Sequence, residues 1–150
     1  MKKETEISRY WNEFKRITGV TGNAYLAEQF GYGKQVGDAL AELVKSGKKT
    51  ATTSALELYE ADESQPKVGD YNIILNGSGS PVCITQTERV EIINFDEVTA
   101  DHAYREGEGD QSLAYWRKVH QQFFEKEYRQ AGKTFTNTIP CICETFKVVY

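Results

Sequence analysis

Two short stretches of the chain carry residue types that can do chemistry. The first is Gly47-Lys48-Lys49-Thr50-Ala51-Thr52, which places two ammonium groups and two hydroxyls side by side. A partly desolvated lysine gives up its proton easily and can serve as base for a hydroxyl that is otherwise a weak nucleophile. The segment is not a Walker loop, because a helical pattern comes before it and the Gly-x-x-x-x-Gly-Lys spacing is absent. In an extended chain residues 50 and 52 share one face while 49, 51 and 53 share the other, so a regular strand separates Lys49 from Thr52. A bend at the strand start would bring the long lysine stem back towards that hydroxyl. Solvated lysines after a helix, followed by strand-forming threonines, are the plainer reading of the same residues.

The second stretch is His102-Ala103-Tyr104-Arg105-Glu106-Gly107-Glu108-Gly109-Asp110, expected as an acidic, glycine-hinged loop. Asp110 has a structural use as N-cap of the next helix, and Glu108 suits the positive end of that helix. Glu106 has no such explanation. The acidic spacing does not fit a calcium loop, and Cys141-Ile142-Cys143 lacks the second cysteine knuckle of a zinc site, so no metal is expected. Alternation puts Cys141 and Cys143 on one face of a strand as small apolar residues. His120 reads as a partly buried helix residue, and Tyr104, Tyr115 and Trp116 either fill the core or stack on a base.

Those stretches need elements to position them. Ile7, Tyr10, Trp11, Phe14 and Ile17 recur at helical spacing, and Gly19 and Gly22 end that helix. Val36, Ala39, Leu40, Leu43 and Val44 form a second helix, closed by Gly47 in a left-handed cap. A strand is expected over residues 50–54, another over 71–75 and a hairpin turn at Asn76-Gly77. Residues 81–87 and 89–95 then read as successive antiparallel strands, residues 111–128 as a helix capped by Asp110, and residues 145–150 as a closing strand. The expected architecture is α+β, a small mainly antiparallel sheet or barrel with helices packed around it.

The composition bounds the function. The chain has 150 residues, 39% of them hydrophobic, with 18 Lys+Arg against 22 Asp+Glu and a net charge of -4. One domain with a real core is expected, and global disorder is excluded. An acidic balance argues against broad duplex binding, which draws its affinity from phosphate neutralisation. Lys45, Lys48, Lys49, Arg117 and Lys118 still leave room for a small nucleotide groove. No apolar run reaches membrane length, and the start MKKETEISRYW lacks the apolar core of a signal peptide, so a cytoplasmic location is expected.

Taken in order, several of these segments resemble the ASCH family, small domains related to the RNA-binding PUA-like barrels. They are Phe30-Gly31 with the helix after it, the Leu43 to Thr52 segment, Val68-Gly69-Asp70, Gly77-Ser78-Gly79-Ser80-Pro81-Val82-Cys83-Ile84, and Glu106-Gly107-Glu108-Gly109-Asp110 running on to Arg117. The resemblance implies a PUA-like β-barrel flanked by helices and a cleft where the lysine segment faces the acidic loop; it starts at about Phe30, and residues 1–29 are expected as a helical extension packed on the domain, by which the chain departs from the family's small hydrolases. It implies RNA or a modified nucleoside as partner, without a cofactor. Some family members are similar to amidohydrolases that remove the acyl group of N4-acetylcytidine with a lysine, a threonine and a glutamate, which fall here on Lys49, Thr52 and Glu106. In that reading Lys49 takes the Thr52 proton, Thr52 attacks the amide carbonyl, and Glu106 orients the lysine or holds the cytosine amine. Lys48, Thr50, Glu108, Asp110, Ser112, Tyr115, Trp116 and Arg117 are the expected ligand contacts. A non-catalytic RNA-binding module and a metal-independent ribonuclease are the alternatives.

Overall fold

The computed structural model describes residues 2–150, with side chains from residue 5 onward. The element order is α1 (Lys2–Thr18), β1 (Tyr25–Gln29), α2 (Lys34–Lys45), β2 (Ala51–Ala55), β3 (Tyr71–Leu75), β4 (Pro81–Asn94), α3 (Ala100–Glu106), α4 (Leu113–Gln130) and β5 (Pro140–Val148). Single 3₁₀ turns at Leu56–Leu58 and Phe95–Glu97 follow β2 and β4. The five strands form one curled sheet in the order β1-β3-β4-β5-β2. Only the β1–β3 pair is parallel; the other pairs are antiparallel.

Alternation along the strands divides the hydrophobic residues between two faces. On the outer face, Ile73 and Ile84 receive Trp11 and Phe14 of α1, while Ala55, Cys141 and Cys143 receive Trp116, Phe124 and Tyr128 of α4. On the inner face, Ile74, Cys83 and Phe146 pack on Ala41 and Val44 of α2. The three cysteines are free and buried, as their strand positions predict. Ile17, although on the apolar stripe of α1, is exposed in its last turn.

Several boundaries differ from the expectations. Residues 25–29 are a strand and not part of a helical extension, because they extend the β3 edge in parallel register from Tyr25–Tyr71 to Gln29–Leu75. Residues 81–94 are one long strand with a bulge between Thr87 and Arg89, so Glu88 interrupts the register without turning the chain. Most of the supposed acidic loop is helix α3, capped by the Thr99 hydroxyl and ended by Gly107 at φ 72. Ser112, not Asp110, caps α4: its hydroxyl accepts from Tyr115 N, while Asp110 Oδ1 accepts from Ser112 N one turn earlier.

Candidate functional site

Gly47, at φ 83, closes α2 as expected and reverses the chain, so that Lys48 N and Lys49 N both donate to Leu43 O at 3.0 Å. The segment then runs along the C-terminal end of α3, where Thr50 N donates to Arg105 O at 2.7 Å. A side chain at Gly107 would meet the backbone of Lys48 and Lys49, so this approach requires glycine on two counts, space and a left-handed φ. Lys49 is thereby aimed inwards. Its ammonium, 2% exposed, donates to Glu106 Oε1 at 3.0 Å and to Glu108 Oε2 at 2.8 Å. It also lies 5.5 Å from the centre of the Phe30 ring.

Glu106 is the hub of this cluster. Its other oxygen, Oε2, accepts from the Thr53 hydroxyl at 2.6 Å and from Trp116 Nε1 at 2.6 Å. His102 Nε2 stands 3.3 Å and His120 Nε2 3.5 Å from the same oxygen. Because Thr53 donates its proton to Glu106, the ring N–H of His102 is the donor in the 2.8 Å contact with the Thr53 oxygen. Burial alone would raise the Glu106 pKa, yet Lys49 and the two histidines hold it well below the ordinary carboxylate value. For Lys49 burial works the other way, and the charges of Glu106 and Glu108 outweigh it, so its pKa lies above the usual lysine value.

This overturns one expectation. Lys49 is a doubly paired ammonium rather than a lysine that sheds its proton easily, because it is buried against two carboxylates and not against apolar surface alone. The hydroxyl beside the cluster is that of Thr53, since residues 49, 51 and 53 share a face and β2 keeps strict register with β5. Thr52 is the cross-strand partner of Glu144 and points to the inner face. Lys49 and Glu106 are brought together; no contact joins Lys49 to Thr52.

The other expected contacts divide. Thr50 borders two open grooves, of about 340 and 450 Å3, that share Gly47, Thr50 and Arg105; Lys45 and Lys147 line the first and Lys48 the second. Glu108 is partly exposed, between Gly107 and Gly109, both with positive φ. Tyr115 is exposed and covers Gly109. Trp116 is not available to stack on a base, because its ring lies between Phe95 and His120, at centroid distances of 5.3 and 4.3 Å. Arg117 is likewise committed, donating to the carbonyls of Asp96 and Val98 at 3.0 and 3.1 Å. Ser112 and Asp110 serve the start of α4. Thr53, His102 and His120 were missed as partners of Glu106. The i, i+4 spacing of His102 and Glu106 would have revealed His102, had residues 100–106 been read as helix.

A curled sheet with helices on its outer face, its lysine segment laid against a short acidic helix, defines a PUA-like domain. The sequence profile of the ASCH domain matches residues 27–150, and the chain belongs to the ASCH-domain family. It is similar to the crystal structure of an ASCH domain from Lactobacillus crispatus JV V101, with 30% identity over 99% of this chain and 94% of that one, at a TM-score of 0.87. It is also similar to a protein from Enterococcus faecalis V583, with 33% identity over 97% and 93% of the two chains and a TM-score of 0.88. No curated protein matches the chain. Among the described residues, no helix is long and apolar enough to cross a membrane.

Proposed function

We propose that the chain binds RNA or a modified nucleoside where residues 47–52 meet α3 and the loop after it, and that it hydrolyses the acyl amide of an N4-acylated cytosine nucleoside. The observation that carries this reading is the ammonium of Lys49, buried at the seam between the lysine segment and α3 and paired with one buried carboxylate and one partly exposed one. Holding a buried ion pair gives little net stability, which favours a use for the charge. Glu108, in its glycine-flanked loop, is the partner a substrate can displace. A carbonyl oxygen in its place would face a preorganised ammonium, and negative charge developing on that oxygen would be stabilised there. Glu106 fixes the lysine. The Thr52 hydroxyl adds to the acyl carbon, the bond from that carbon to N4 breaks, the leaving nitrogen takes up the threonine proton, and water then cleaves the acyl-threonine ester. The walls of the two grooves, with Lys45, Lys48 and Lys147, suit the sugar and phosphate.

A module that binds without turnover is the second reading. It is favoured by a specific observation: Lys49 is held as an ammonium and Thr52 is not among its partners. Incubation with N4-acetylcytidine, followed by chromatography, separates the two. Loss of the acyl group that disappears in Lys49→Ala supports the hydrolase; unchanged turnover in that variant removes Lys49 from the chemistry. Salt-sensitive binding of oligonucleotides without turnover identifies the module. Strand cleavage that survives chelation identifies a ribonuclease.

A further inference from the structure

We infer that Glu144, with Asn72 and Thr87, forms a hydrogen-bonding floor on the inner face of the sheet that reads the paired ring-nitrogen and amino edge of a nucleobase. This rests on the reading above that the ligand is a nucleoside, and it names the part of the chain that recognises the base.

The register places these residues together. Asn72 on β3 faces Thr85 on β4; Thr87, two residues on, faces Phe146 on β5; and Glu144, two residues back along β5, faces Thr52 on β2. Directly paired residues share a face, so a polar band crosses four strands on the side opposite α1, α3 and α4. That side is concave. Glu28 on β1 and Tyr59, just after β2, come from opposite edges of the sheet, yet both lie within electrostatic reach of Glu144 and of each other.

Three atoms of this band are buried without a hydrogen-bond partner in the chain: Asn72 Oδ1, Thr87 Oγ1 and Glu144 Oε2. The residues are 5%, 2% and 4% exposed. Unpaired polar atoms at that depth are costly, and a folded chain normally satisfies them. The polar groups beside Glu144, its cross-strand partner Thr52 and, within electrostatic reach, Glu28, Tyr59 and Asp70, are half-buried. The groups in electrostatic contact with Glu144 are the carboxylates Glu28 and Asp70 and the phenol of Tyr59, with no cation among them, and burial followed by the two carboxylates pushes its carboxyl up to about 7. Near neutrality it is therefore available as a neutral acid. A carboxylic acid donates through its O–H and accepts through its carbonyl, which matches a ring nitrogen beside an exocyclic N–H. In an N4-acylated cytosine that edge adjoins the acyl group, and Thr52 stands directly across from Glu144. β2 is an edge strand, so the floor would hold the base on the inner face with its acyl group at that edge, where Thr52 faces inwards and Lys49 lies on the other side of the same strand.

Calorimetric titration with cytidine tests this without requiring turnover. The wild type should bind, and binding should weaken as pH rises from about 6 to about 8, when Glu144 loses the proton it donates. Glu144→Gln, whose amide offers the same donor and acceptor, should keep affinity within about threefold and lose the pH dependence, while Glu144→Leu should weaken it about tenfold or more. The proposal is overturned if cytidine does not bind, if Glu144→Leu binds as the wild type does, or if Glu144→Gln keeps the wild-type pH profile. Turnover of N4-acetylcytidine by a protein whose cytidine affinity ignores Glu144 would leave the hydrolase standing without this floor. Glu144-dependent binding with no turnover would do the reverse.

Discussion

Glu106 is held by so many donors that its removal has consequences beyond its own bonds. Glu106→Gln leaves Lys49, 2% exposed, with only the partly exposed Glu108 as counter-ion. A loss of about 3–5 kcal/mol is expected from urea unfolding, typical of breaking a buried pair from one side. An unchanged midpoint would mean that Glu108 alone can carry the charge. Thr53→Val removes a smaller share: it takes one donor from Glu106 and one acceptor from His102, and about 1–3 kcal/mol is expected. Because a carboxylate with so low a pKa is a poor base, Thr53 is not activated by Glu106 and should be dispensable for the chemistry except through stability. Turnover of folded Thr53→Val near the wild-type rate would agree with this, and abolished turnover would move the nucleophile from Thr52 to Thr53. Of this cluster the sequence offered Lys49 and Glu106, because the family motif marks them. It did not offer the pairing of Lys49 with Glu108, since nothing in a linear chain says which carboxylate a lysine meets.

At the scale of elements, the site depends on how α2 and α3 are held. The start of α2 rests on the β3–β4 hairpin, where Gly77 N donates to Asp38 Oδ1 at 2.8 Å and the Gly77 Cα is in contact with the Lys34 backbone. A Cβ at Gly77 would overlap Lys34 backbone atoms, which cannot yield as a flexible side-chain end would. Gly77→Ala is therefore expected to cost about 1–3 kcal/mol and to shift α2, read as a lower melting temperature with altered backbone amide shifts around Lys34. A neutral effect would show that the hairpin can move away. Helix and strand types were largely legible, because apolar spacing reports the buried face. Four points were not. The five residues of β1 show no clean alternation, the bulge at Glu88 hides inside an alternating pattern, the seven residues of α3 are too few for a periodic signal, and Asp110 competes with Ser112 as a cap of equal intrinsic quality.

Across the whole molecule, two buried carboxyls drive stability in opposite directions with pH. Glu106 is depressed, so the stability it supplies is present above the ordinary carboxylate pKa and is lost as pH falls through its folded value. Glu144 is raised from 4.5 to about 7, so its contribution is full below pH 4.5 and is lost as pH rises to about 7. At about 1.4 kcal/mol per pH unit, the second effect is of order 3 kcal/mol. Urea midpoints should decline from about pH 5 to about pH 7.5 in the wild type and much less in Glu144→Gln; parallel profiles would contradict the burial of a carboxyl with one oxygen unpaired.

The sequence by itself determined the α+β class, the helices and strands with strong apolar periodicity, and, through its ordered motifs, the family. Those properties are local, or are carried by residue order. Only the tertiary structure decided that Thr53 and not Thr52 meets Glu106, that Lys49 is held as an ammonium, and that Asn72, Thr87 and Glu144 converge on one buried face. Strand register and sheet curvature set these outcomes. A one-residue change of face reverses which side chains meet, and curling of the sheet puts Glu28 of β1 and Tyr59, beyond β2, within electrostatic reach of Glu144.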